Sequence, residues 1–181
     1  PGLVDTDRLY ELINDVYSWD ALSSDGWFVD YQNLYTFIGV NDQRQFFVNC
    51  ANSFLEAGET ERAREALEKC RTSIRKEILP YESIAAGCTS NDFMVISIIE
   101  LYYRLGMADE AREMATEMFN DLLQTAGFYI RFNDYEWDNF KLCGSCIYYL
   151  QEAVQAGGDI ELAKKMGDNF DSLMQLYTGE E

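Results

Sequence analysis

The chain has 181 residues, of which 48% are hydrophobic and 14% aromatic, enough for a sizeable core and too apolar for a disordered chain. Its 32 acidic and 14 basic side chains leave a formal charge of −18, a field that repels phosphate backbones and anionic lipid headgroups, so nucleic acid is not an expected partner. Prolines occur only at Pro1 and Pro80, which permits long uninterrupted helices and points to an all-α fold in one domain over 1–181.

The region 1–41 is expected to hold a capping helix and an aromatic meander. Asp5 or Thr6 is the candidate N-cap, and Leu9, Leu12, Ile13 and Val16 recur at helical spacing. From Ser18 to Val40 the period is lost, yet the segment holds Trp19, Trp27, Phe28, Tyr31, Leu34, Tyr35 and Phe37. So much ring surface predicts an ordered segment lying across the helices. Three helical hairpins are then expected at 42–79, 91–126 and 136–178. Their first helices read roughly Asp42 to Ala57, Asn91 to Leu105 and Glu136 to Ala156. Their second helices read Glu61 to Ile78, Asp109 to Ala126 and Ile160 to Tyr177, with Pro80 supporting the stop at Ile78. The connections Leu79 to Ser90 and Gly127 to Tyr135 are long, and the second is a candidate for extended backbone.

The hairpins rest on one device used three times. FLEAGETERAREALEKC, YYRLGMADEAREMATEMF and AVQAGGDIELAKKMGDNF each place an apolar stretch before Gly58, Gly106 or Gly158, then a small residue at Ala63, Ala111 or Ala163. A glycine just past a helix adopts the left-handed conformation that ends it, and an alanine early in the next helix lets the two approach closely. Leu67, Met114 and Met118 fill the space around that contact.

These segments resemble tetratricopeptide repeats, with the three glycines at the turn position and the three alanines at the small position of the second helix. The glycine separations of 48 and 52 residues exceed the ~34 of the standard repeat. The order VDTDRLYELINDVYSW, an aromatic meander, QRQFFVNCANSFLEAGETERAREALEKC, LPYES and IIELYYRLGMADEAREMATEM further resembles the C-terminal region of a Bacteroidetes family of multi-spanning membrane proteins. The transmembrane portion of that family is similar to protein O-mannosyltransferases, of the GT-C glycosyltransferase type. The resemblance implies an accessory domain at the periplasmic face of a bacterial inner membrane, whose enzymatic part is the membrane portion. The Pro1-Gly2 start likewise suggests a piece of a longer protein. No window of ~20 apolar residues and no leader pattern occurs, so the fragment is expected to be soluble and not itself inserted in a membrane.

Catalytic chemistry has little to work with. Histidine is absent, which removes the commonest general base, the usual partner of a serine or cysteine nucleophile and the commonest metal ligand. Cys143 and Cys146, in KLCGSC, read first as small core residues, next as a structural disulfide and last as a redox or metal pair, because CIYYLQEAV continues as mid-helix. An enzymatic reading requires a reactive Cys143. Asp134, Glu136 and Asp138 lack calcium-loop spacing and suit a helix start, whose dipole favours carboxylates. No cofactor and no metal is expected.

The functional candidate is a groove. Counting back from each turn glycine places Gln45, Asn52, Glu100, Tyr103, Arg104, Tyr148, Glu152 and Gln155 on the concave face lined by the first helices. Polar groups mixed with tyrosines suit a protein or peptide partner, the membrane portion of the same chain included. The same tyrosines equally suit packing against a neighbouring hairpin. The expected role is a non-catalytic interaction or scaffolding module. The alternative is a carbohydrate-recognising accessory module using Trp19, Trp27 and Tyr31 as a ring platform.

Overall fold

A computed structural model describes residues 4–23, 40–84, 87 and 89–178. Among them the protein is all-helical, with no strand, and it divides into two compact units, Pro1–Pro80 and Tyr81–Glu181.

In the first unit α1 spans Thr6–Glu11, α2 Asp20–Ser23, α3 Val40–Glu56 and α4 Thr60–Ser73. Asp5 caps α1 by accepting the Arg8 N–H at 3.0 Å. The chain then widens into a π-helical turn over Leu12–Val16, closed by the Tyr17 N–H on the Leu12 carbonyl. That wider turn rotates the expected apolar stripe: Ile13 is buried, whereas Val16 is 52% exposed. α1 packs on α3, and α2 packs on α4. Phe47, Phe54, Ala63 and Leu67 form the hairpin core. α4 stops at Ser73, short of the Ile78 expected from Pro80. The buried guanidinium of Arg44 explains the difference, since it donates to the carbonyls of Leu79 at 2.7 Å and Pro80 at 3.2 Å. Those bonds hold the exit segment back against the hairpin, with Ile74 and Leu79 buried.

The second unit contains α5 (Thr89–Arg104), α6 (Ala108–Tyr129), a 3₁₀ segment (Ile130–Tyr135), α7 (Trp137–Ala156) and α8 (Ile160–Thr178). α5 packs on α6 and α7, and α8 packs on α7 and α6. The stretch 127–135 is helical, not extended. α6 runs through Gly127, whose missing Cβ would make only an ordinary contact with Leu173, and Ala126, Tyr129 and Ile130 are buried, so burial favours continuing the helix.

All three turns close alike. Gly58, Gly106 and Gly158 have φ of 78°, 74° and 91°, and their N–H groups bond Leu55, Tyr103 and Gln155 carbonyls at 3.0 Å. The following N–H of Glu59, Met107 or Asp159 reaches back to Phe54, Tyr102 or Val154, which satisfies carbonyls that a helix end would otherwise orphan. The Glu59, Met107 and Asp159 carbonyls then accept the Ala63, Ala111 and Ala163 N–H, starting each second helix. These alanines are 0%, 0% and 2% exposed, so close approach of paired helices is what the small residue provides.

Candidate functional site

The site is built where α5 and α7 lie side by side. Phe93 near the start of α5 meets Tyr149 edge-to-face at 5.6 Å, and Tyr103 at its other end meets Gly157. The two helices therefore run in the same direction. A Cβ at Gly157 would sit 2.3 Å from the Tyr103 ring, so only glycine leaves room for it. Gly157 itself has ordinary helical φ of −69°, and the turn is the work of Gly158. The doublet thus divides two tasks between two glycines.

Around Tyr103 lies a cleft of about 270 Å³, lined by Glu100, Tyr103 and Arg104 from α5 and by Ala153, Ala156 and Gly157 from the α7 side. The Tyr103 hydroxyl is buried and meets no hydrogen-bond partner among the described residues. Burial and the nearby Asp159 carboxylate push its pKa upward, only partly opposed by Arg112, so the phenol stays protonated and available as a donor. Asp159 is held below the usual carboxylate range by Arg112, whose Nε donates to it at 2.6 Å, with the Leu162 N–H adding a bond at 3.3 Å. Glu100 and Arg104, four apart on an exposed helix face, make no ion pair among the described residues.

Of the residues singled out in the sequence, Glu100, Tyr103 and Arg104 come together at this cleft. Tyr148, Glu152 and Gln155 are exposed on α7, with Tyr148 against Tyr149 at 5.5 Å, but the cleft wall is formed by Ala153, Ala156 and Gly157. Gln45 and Asn52 are half-buried on α3 in the first unit, Gln45 donating to Asn49 at 2.9 Å. Phe93, Tyr149 and Gly157 were not anticipated. The signal for Gly157 was present, since a turn needs one glycine and the sequence supplies two.

Trp19, in the first unit, is half-buried; its Nε1 donates to the Ile13 carbonyl at 2.9 Å and its ring stacks on Phe46 at 5.9 Å. It borders an open polar cleft of about 490 Å³ with Asn14, Asp15, Asp20, Lys69 and Thr72 on its walls. Trp27 and Tyr31 lie outside the described residues.

Cys50, Cys70, Cys143 and Cys146 are buried free thiols, while Cys88 lies outside the described residues. Burial raises the Cys146 thiol to about 12 and also pushes Cys143 far up, reinforced at both by the Glu82 and Asp92 carboxylates. Such thiols resist forming the nucleophilic thiolate. Glu136 accepts from Asn139 at 2.7 Å, and Asp138 pairs with Lys141 at 2.7 Å, local bonds suited to the start of α7. Among the described residues no three His, Cys, Asp or Glu side chains converge. No family model, no curated protein and no solved structure matches this chain.

Proposed function

We propose that this chain is a non-catalytic protein-interaction module that binds an extended peptide along α5 and α7. The observation carrying this reading is the Tyr103 cleft: an aromatic wall, a buried phenol and, at the rim, a carboxylate and a guanidinium, none of them with a partner among the described residues. A buried hydroxyl left unsatisfied costs about 1–3 kcal/mol, which a peptide carbonyl would recover on binding. The 270 Å³ suits one small or medium apolar side chain. The resemblance to membrane O-mannosyltransferase-like proteins adds a partner: a segment of the membrane portion of a longer chain, met at the periplasmic face.

The test is selection of nonapeptides from a random library on the intact chain, repeated with Gly157→Ala and Tyr103→Phe. Gly157→Ala drives the Tyr103 ring out of its seat without straining the backbone, so selected peptides lose affinity while helicity is kept. Tyr103→Phe leaves the free protein equally or more stable yet weakens binding. Peptides whose affinity ignores both substitutions refute the reading.

A second reading, carbohydrate recognition, is favoured by the Trp19 cleft, where an indole edge lies among amide, hydroxyl and carboxylate groups. Titration of neutral oligosaccharides followed by tryptophan fluorescence tests it, and a response unchanged by Trp19→Phe ends it.

A further inference from the structure

The unit that holds the groove is strongly negative, with 18 acidic and 6 basic side chains between Tyr81 and Glu181. Any occupant enters a field that favours cations. Along the groove Phe93, Tyr149 and Tyr148 form a row of contacting rings, and Tyr148 and Tyr149 are 56% and 51% exposed. Glu152 lies one helical turn beyond both tyrosines on α7, and Glu100 lies two turns beyond Phe93 on α5. Both carboxylates are exposed and make no ion pair among the described residues, so each is free to meet a basic group.

Tyrosine faces attract a cation within about 6 Å and accept the aliphatic stem of lysine or arginine, leaving the charged head free for a carboxylate. Exposed rings followed by exposed carboxylates along two adjacent helices form such a receptor. We propose that the groove selects a basic peptide segment. One lysine or arginine stem lies across Tyr148 and Tyr149 with its head at Glu152, a second basic head meets Glu100, and a small apolar side chain enters the Tyr103 cleft. Arg104, beyond Glu100, takes a main-chain carbonyl of the peptide. From Phe93 to Arg104 the helix rises roughly 16 Å, which about five extended residues span. The proposal rests on the peptide reading above and narrows it, because the same carboxylates repel an acidic segment.

The experiment uses three fluorescein-labelled nonapeptides in which lysine, glutamine or glutamate alternates with alanine and leucine, measured by anisotropy against the intact chain. The lysine peptide is expected to bind, Glu100→Gln with Glu152→Gln to weaken it about tenfold, and Tyr148→Ala to weaken it further. Glu113→Gln with Glu161→Gln, an equal charge change on exposed positions of α6 and α8, is expected to alter affinity by less than about twofold. Equal losses in the two double variants reduce the effect to long-range attraction and overturn the proposal. Tight, Gly157→Ala-sensitive binding of the glutamine or glutamate peptide overturns it too, while leaving the peptide groove intact. No Gly157→Ala-sensitive binding of any of the three peptides overturns the basic selectivity, and a random library that also yields no such peptide overturns the groove.

Discussion

Replacing Asp92 with asparagine should change how stability depends on pH, and the size of the effect follows from its surroundings. Asp92 is fully buried near the start of α5 and accepts two bonds from Ser83, from the hydroxyl at 2.7 Å and the N–H at 3.2 Å. Asn91 ties the same cluster to Tyr81 and Ser83 at 3.3 and 3.0 Å. Burial dominates the two bonds, with Glu82 adding repulsion, and raises the carboxyl from 3.8 to about 7. The folded state therefore holds a proton that the unfolded chain has released. Stability from this group is fully present below about pH 4 and lost as pH rises through about 7. Each pH unit inside that window costs about 1.4 kcal/mol, so wild type should lose roughly 2–3 kcal/mol relative to Asp92→Asn between pH 5 and 7. Asparagine keeps the shape and an acceptor for the Ser83 N–H, and the pH response of all other carboxylates is shared and cancels. Urea unfolding of both proteins at half-unit pH steps, followed by circular dichroism, measures the difference. A constant gap across pH 5 to 7 means that Asp92 titrates like an exposed carboxyl, and the reasoning fails.

Ala111→Leu should destabilise by about 1–3 kcal/mol, because its site is closed against the paired helix, whereas Ala108→Leu on an exposed position should change stability by less than about 0.5 kcal/mol; denaturant midpoints separate the two. Gly58→Ala should cost about 1–2 kcal/mol by backbone strain alone, since φ is +78° and nothing lies within 4 Å of the added methyl; a loss below about 0.3 kcal/mol in thermal unfolding contradicts the left-handed turn. In a Cys88→Ser background the four remaining thiols should react with a colorimetric disulfide reagent at least about tenfold more slowly in the native than in the unfolded protein, and one fast native thiol contradicts their burial and favours an enzymatic reading.

The repeated device was legible because it is local. A left-handed glycine at 58, 106 and 158 and a buried alanine five residues on are set by backbone sterics and helix spacing, which depend on neighbours in the chain. Glu100, Tyr103 and Arg104 could be placed on one face for the same reason, as helical periodicity fixes which positions align. Where distant groups decide, the sequence was silent or misleading. α4 ends at Ser73 because Arg44, many residues earlier, captures the carbonyls of Leu79 and Pro80, and Pro80 alone would have allowed a longer helix. Residues 127–135 stay helical because Tyr129 and Ile130 find a buried place, which no local preference for glycine predicts. The Tyr103 seat on Gly157, and with it the cleft, exists only through the side-by-side packing of α5 and α7, so chain-local chemistry built the helices and their packing made the site.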